Sequence, residues 1–367
     1  MKTCIGSALV AAAVLLAGCG SGIPLPDPDW EQHGGNAIVI GTGADDIWFP
    51  IRSCQDAPAF HHWDGGSWTK VVATGLQCAA SSAIAGKGKL WLATGTRLVV
   101  MDSDGQLEDR GPATGLGGDA SYTNVWARNG FAIIAAVKPA ATPGGVATNL
   151  MLATDGATFR EFPSPEPQSG ITDFTVNGPD DAWAYDRSTP PPPSQGLGSA
   201  SGPVEGPLHY SGGRWLPTRG PRLPVASGFD PGTAWVLGDT ETDGTVLPLW
   251  HFDGSTWGWF GAPLPPLLEG EGTMSWMLTP APGGFALLGT QTSTTVTDGV
   301  RSILNTTYAY RWTSDGWSDP EKVVERYAAA CGDYVCGVRI DGVLEDGTRV
   351  FTHQASGEDS TLVTWKP

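Results

Sequence analysis

The chain has no apolar run long enough to cross a bilayer. The stretch at its start, Ile5–Ala17, is 13 residues, where a helical span needs about 20. It is also poor in charge. Only 16% of its 367 residues are charged, and 21 Lys and Arg face 38 Asp and Glu, for a net charge of −17. Such a surface repels phosphate backbones, which excludes nucleic acid as a partner. It offers no basic patch to hold a membrane surface either. Helical periodicity is missing after residue 30, and 51 Gly and 30 Pro would interrupt it. There is no G-x-S-x-G elbow, no phosphate-cradling glycine loop and no C-x-x-C pair. No cofactor and no metal site are expected. What remains is a chain of short strands and turns, an all-β protein.

The apolar run has the length of a signal-peptide core and follows Lys2. It ends in Leu16-Ala17-Gly18-Cys19, which resembles the lipobox of bacterial lipoproteins. That resemblance implies removal of residues 1–18 and acylation of Cys19. Lipid on Cys19 would then hold the acidic body to a membrane. Gly20 and Ser21 follow; in diderm lipoproteins an Asp there commonly retains the protein at the inner membrane, so the resemblance favours the outer one. Residues 20–35 read as a tether, with the folded domain at 36–367.

The 16 tryptophans fall in a repeat. His62-Trp63-Asp64-Gly65-Gly66-Ser67-Trp68, His209-Tyr210-Ser211-Gly212-Gly213-Arg214-Trp215 and His251-Phe252-Asp253-Gly254-Ser255-Thr256-Trp257 share one form, with weaker copies near Asp102, Asp155 and Asp315. Asp-Gly and Gly-Gly supply a tight hairpin turn, and the aromatic opens the next strand. A second turn precedes each copy: Gly43-Ala44-Asp45-Asp46-Ile47-Trp48 matches Gly178-Pro179-Asp180-Asp181-Ala182-Trp183. Each unit thus holds four strands, A to D. Seven units are read, over 36–72, 78–110, 122–162, 171–217, 224–260, 273–319 and 326–366. Seven four-stranded antiparallel sheets around an axis make a β-propeller. The repeat is similar to kelch and galactose-oxidase-like propellers and to the Asp-box repeats of sialidase-like ones. No added N-terminal strand is read, so the ring is expected to close without strand exchange.

In such a ring the A–B and C–D turns share one face, and the B–C and D–A connections share the other. The insertions are read on the second face: Lys138–Asn149, Ser188–Gly206, Asp239–Val246 and Gln291–Asn305 as B–C loops, Arg110–Ser121, Pro163–Gly170 and Gly261–Gly272 as D–A loops. Elaboration of one face marks it as the binding face. The same topology sorts the cysteines outside the signal. Cys54 and Cys78 fall on the insertion face, whereas Cys331 and Cys336 flank a last A–B turn at Gly332–Val335. An exported chain favours disulfides, and the pairing expected is Cys54–Cys78 and Cys331–Cys336, since cross pairing would have to bridge the domain.

His62, His209 and His251 recur at one repeat position, which reads as structural, because one active site does not need three copies. Asp45, Asp46, Asp180 and Asp181 read as turn formers. A sialidase-like enzyme would need converging arginines, an acid and a Tyr–Glu pair. The only candidates are Glu325, Arg326 and Tyr327 at the start of the last strand A, Arg222 before another, and Asp173 within a third. The function expected is therefore binding: a lipid-anchored envelope propeller that holds a protein or polysaccharide partner on its B–C and D–A face. The alternative is a glycan-active hydrolase or lyase using the same face.

Overall fold

A computed structural model of the chain describes residues 22–25, 39–51, 57–77, 79, 81–111, 120–140, 142, 145, 147–165, 173–185, 207–220, 226–227, 232–237, 246–265, 273–281, 284–297, 300–313, 316–331, 334–335, 341–353 and 361–367. No helix occurs among them. Seven antiparallel sheets form seven blades, each with strand order A-B-C-D from the axis outward.

Blade I is Ile40–Gly43, Asp46–Ile51, Ala59–Trp63 and Trp68–Val72; blade II is Ser81–Gly86, Lys89–Thr94, Arg97–Asp102 and Leu107–Asp109. Blade III is Ser121–Arg128, Phe131–Lys138, Thr148–Thr154 and Phe159–Phe162; blade IV is Asp173–Gly178, Asp181–Tyr185, Leu208–Ser211 and Arg214–Pro217. Blade V is Ala226–Ser227, Ala234–Leu237, Val246–Phe252 and Trp257–Pro263. Strands B and C are apolar in runs rather than in alternation, because neighbouring blades cover both their faces. Leu90, Trp91, Leu92 and Ala93 are all buried in consecutive positions, as are Leu98, Val99, Val100 and Met101. The core therefore lies between blades, in a chain of clusters around the ring.

The Asp-Gly turns form as their sequence requires. The Asp64 carboxylate accepts from the amides of Gly66 and Ser67, each at 2.8 Å, while Gly65 takes a φ of 94°. In the matching turn of blade V the Asp253 carboxylate accepts from the amides of Thr256 and Ser255, each at 2.8 Å, and from the Ser255 hydroxyl. These bonds hold the Asp253 carboxyl down to about 2. A carbon-13 NMR titration is expected to show this carboxyl ionised throughout the range where ordinary aspartates protonate; a midpoint near 4 would mean the turn is open in solution.

Blades VI and VII depart from the expected units. Blade VI is Thr273–Ala281, Gly284–Thr297 and Val300–Thr313, with its outer strand split into Gly316–Trp317 and Glu321–Cys331. Pro320 lies at the split and has no amide to donate. The segment 291–305, expected to be a B–C loop, is instead a continuation of strands B and C, paired in register from Gln291↔Thr306 to Thr297↔Val300. Glu321–Cys331 runs along it from Ala309↔Glu321 to Ser302↔Ala329 and turns back into Tyr334–Val335. The last strand A therefore does not begin at 326, and Gly332–Val335 is not an A–B turn. Tyr334–Val335 instead pairs back on Ala330–Cys331 after strand D, which widens blade VI on the B–C face.

Blade VII begins at Asp341–Val343, continues through Arg349–His353 and Thr361–Trp365, and takes its outer strand from Ile23–Pro24. Ile23 pairs with Leu362 and Pro24 with Thr361. The ring thus closes by strand exchange, contrary to the expectation from sequence, and part of the expected tether belongs to the propeller. The physical reason is repeated elsewhere in the ring. Trp68, at the start of strand D in blade I, donates its indole N–H to the Pro24 carbonyl at 2.6 Å. Trp215 does the same to Pro163 at 2.7 Å, and Trp317 to Pro263 at 2.6 Å. Pro163 and Pro263 lie at the ends of strand D in the preceding blades, so Pro24 occupies the equivalent place in blade VII. Ile23 and Leu25 pack on the buried cluster of Val39, Ile47, Leu344 and Leu362.

Candidate functional site

The innermost strands enclose a central cavity of about 470 Å³. Ser82, Val125, Phe174 and Leu278 are among the residues on its wall, which is mostly apolar. Its charged groups, Arg128, Glu345 and Arg349, come from the A–B end of blades III and VII. Arg128 closes strand A of blade III and donates to Asn177 Oδ1 and to the Glu345 carbonyl, both at 3.3 Å. Glu345 accepts from the Asn129 amide at 3.0 Å. Burial lowers the Arg128 pKa against the attraction of Glu345 and Asp181, and burial raises that of Glu345. Arg349 is buried and donates to Thr279 Oγ1 at 2.9 Å, to the Leu278 carbonyl at 3.1 Å and to Met277 Sδ at 2.8 Å. These polar groups are bound to one another and to the turns. They tie blades III, IV, VI and VII together at the axis.

The candidates read from sequence do not meet in this cavity. Glu325 and Arg326 lie on the outer strand of blade VI, not on an inner strand, where they pair with Thr306 and Asn305. Glu325 forms an ion pair with Lys322. Tyr327 is on the same strand, opposite Leu304. Asp173 opens strand A of blade IV, next to the wall residue Phe174, with blade V between it and blade VI. Arg222 lies outside the described residues, as do Cys19, Cys54, Cys78 and Cys336. Cys331 ends the outer strand of blade VI. Since that strand rises on the insertion face, the reasoning that set Cys331 and Cys336 apart from Cys54 and Cys78 no longer holds.

The recurrent histidines are structural, as their repetition implies. His62 stacks on Trp48 at 4.0 Å, His209 on Trp183 at 4.2 Å and His251 on Trp235 at 4.1 Å. In two blades an aspartate completes the arrangement, and here the reading as a turn former falls short. Asp46 is 0% exposed. Its Oδ1 accepts from His62 Nε2 at 2.9 Å, from Trp48 Nε1 at 3.0 Å and from the Gly88 amide of blade II at 3.2 Å. Its Oδ2 accepts from the Thr42 hydroxyl at 2.7 Å. Asp181 repeats this with His209 at 2.9 Å, Asn177 at 3.0 Å and the Gly232 amide of blade V at 2.8 Å. Each carboxylate thus binds its own blade to the next. The Asp neighbours, Asp45 and Asp180, are the exposed turn residues; Asp45 pairs with Lys87 at 2.5 Å.

The two faces of the ring differ in kind. The A–B and C–D connections run to at most six residues. The B–C and D–A connections include 139–147, 186–207, 238–245 and 264–272, and on the same face stands the widened sheet of blade VI. Its B strand carries Ser293, Thr294, Thr295 and Val296 past the start of strand A at Thr273↔Thr292. Val296 is 68% exposed. This projecting sheet was not legible as a sheet, and among the described residues it is the longest strand pairing on the insertion face.

No family model matches the chain, and no curated protein does. Solved structures similar to it include YCF48 bound to a D1 peptide, 12% identical, with 94% of this chain and 95% of that one covered and a TM-score of 0.45. A puromycin-hydrolysing peptidase of Mycobacterium tuberculosis is 12% identical, with 94% and 54% covered and a TM-score of 0.44. The extracellular domain of a protein described as a one-component system of B. thetaiotaomicron is 10% identical, with 94% and 39% covered and a TM-score of 0.40. The chain therefore spans about half or less of the last two. The ring of seven blades rests on the strand pairing itself.

Proposed function

We propose that this protein is an exported, lipid-anchored propeller of the bacterial envelope that binds a protein partner on its B–C and D–A face. The observation that carries this reading is the asymmetry of the ring. One face has only short turns, and the other bears every long connection together with the projecting sheet of blade VI. Ring closure and packing do not require that sheet, since six blades do without it. Its hairpin, 291–305, contains no aromatic residue on which a sugar ring could stack; the projecting sheet's tyrosines, Tyr327 and Tyr334, are on the strands beside it. It offers instead Thr, Ser and Val side chains on extended backbone, which suit a polypeptide.

The test places the photo-crosslinking residue p-benzoylphenylalanine at Val296 and, separately, at Ala157 in a short C–D turn, in the producing cells. A discrete adduct to one envelope protein from Val296, absent from Ala157, is expected. The same envelope protein should co-purify with the wild type and no longer do so when 293–304 is replaced by a two-residue turn while the thermal midpoint holds. Adducts to polysaccharide alone, or equal adducts from both positions, would overturn the reading.

A further inference from the structure

We propose that a second copy of this chain pairs, strand to strand, with the bare edge at the end of strand B in blade VI. This rests on the reading of the insertion face as a protein-binding face and goes beyond it by naming the partner and the mode of contact. Strand B meets strand A only as far as Thr273↔Thr292, while strand C follows it to Thr297↔Val300. Ser293–Thr297 is thus paired on one side alone, and among the described residues no strand covers the other. In an antiparallel ladder alternate residues turn their N–H and C=O groups to the same side. This edge therefore presents donors and acceptors free to pair along about 17 Å of strand. Thr294, Thr295 and Val296 are exposed.

The composition of this edge sets it apart. The strands D are the edges that the ring leaves to solvent, and each carries a residue that discourages pairing. It is a charge in blades I to IV and VI, at Lys70, Glu108, Arg160, Arg214 and Glu325, and a proline in blades V and VII. Residues 290–297 have no charge, no proline and no glycine; they are Thr, Ser, Gln and Val, of which Thr and Val favour strands. A second copy brings an edge of the same length and polarity, and a twofold axis near Thr295 sets the two antiparallel. Thr295 then faces its own counterpart, a hydroxyl pair of the kind that Thr290 and Thr307 already form at 2.9 Å. Each chain carries net charge −17, so the two bodies repel and the uncharged edge has to join them against that repulsion. Salt screens the repulsion and should tighten the pair.

The test uses the full-length protein made in the producing cells and purified in detergent. Sedimentation equilibrium is expected to show a protein mass that doubles as concentration rises, at lower concentration in higher salt. Two double variants, Thr294→Lys with Val296→Lys and Thr294→Glu with Val296→Glu, set like charges opposite one another across the twofold axis. Both positions are exposed, so the thermal midpoint should hold. Each variant alone should dimerise roughly tenfold or more weakly than the wild type, and an equal mixture of the two should recover the wild-type mass. A wild type that stays monomeric, a dimer that both variants keep, or a mixture no better than either variant alone would each overturn the pairing. p-Benzoylphenylalanine at Val296, in the producing cells, separates the two readings. An adduct to a different envelope protein, alongside a monomeric wild type, leaves the protein-binding face and removes the self-pairing. No protein adduct together with a monomeric wild type removes both.

Discussion

A chain lacking residues 1–26 is expected to unfold roughly 4–9 °C below the full chain, while one lacking only 1–21 unfolds with it. The first deletion takes away the outer strand of blade VII; the second stops short of Gly22 and leaves the pairing intact. Ile23 and Leu25 leave a buried cluster at about 1–2 kcal/mol each, since both are only partly buried. Trp68 loses the acceptor of its indole N–H, and the exposed edge of Thr361–Trp365 loses its backbone partners, for about 1–3 kcal/mol more. A total of about 3–7 kcal/mol corresponds to a shift of this size in a chain of this length. Differential scanning calorimetry of the two truncations side by side decides the matter. Equal midpoints would show that the N-terminal strand is not part of the stable ring. Trp68→Phe should reproduce a smaller share of the loss, about 1 kcal/mol, because it removes one donor and leaves the strand.

Asp46→Ala should destabilise the fold by about 3–5 kcal/mol, the cost of stripping one member from a buried hydrogen-bonded pair. His62, Trp48, Thr42 and the Gly88 amide would all lose their acceptor at once. Asp181→Ala should cost somewhat less, because Trp183 Nε1 has no partner there to lose. Asp45→Ala, one residue away in the exposed turn, should change stability by less than about 1 kcal/mol. Acid should act through the same groups. Burial alone would raise the Asp46 carboxyl, but the bonds from His62, Thr42 and Gly88 together outweigh it and hold it below the usual carboxylate range. Asp181 is held down likewise against burial, by His209, Gly232 and Asn177. A folded pKa below the unfolded one contributes stability that is complete above the unfolded value and is lost as pH falls through the folded one. The wild type should therefore lose stability below about pH 4, with Asp46→Asn showing a shallower loss over that window. Urea melts of the two at a series of acid pH values measure the slopes; parallel slopes would remove Asp46 from the account.

The seven units were legible because their turns depend on few residues. Asp64-Gly65, Asp253-Gly254 and the tryptophans after them specify a hairpin locally, and hairpins are what a blade is made of. The closing strand was not legible by that route. Two residues have no period, and one of them is a proline. Yet a signal was present. Ile23-Pro24-Leu25-Pro26 repeats Phe162-Pro163-Ser164-Pro165 and Ala262-Pro263-Leu264-Pro265, and those copies end the outer strands of blades III and V. Blade VI held a second unread signal: Asp298-Gly299 between β-branched residues announces a hairpin rather than a loop. The axial group of Arg128, Glu345 and Arg349 left no trace in local pattern. Glu345 and Arg349 are distant from Arg128 in sequence, and only the closure of the ring brings them to one end of the cavity.

The first strand of the ring to be synthesised is thus the last to find its place. Ile23 and Pro24 wait, unpaired, for Thr361 and Leu362 to arrive, so the entropic cost of joining the ends falls on the final step and spans almost the entire chain. Until then the C-terminal sheet presents a bare edge that can pair with a neighbouring nascent molecule. A polypeptide stalled or clipped before Thr361 cannot complete the circle at all.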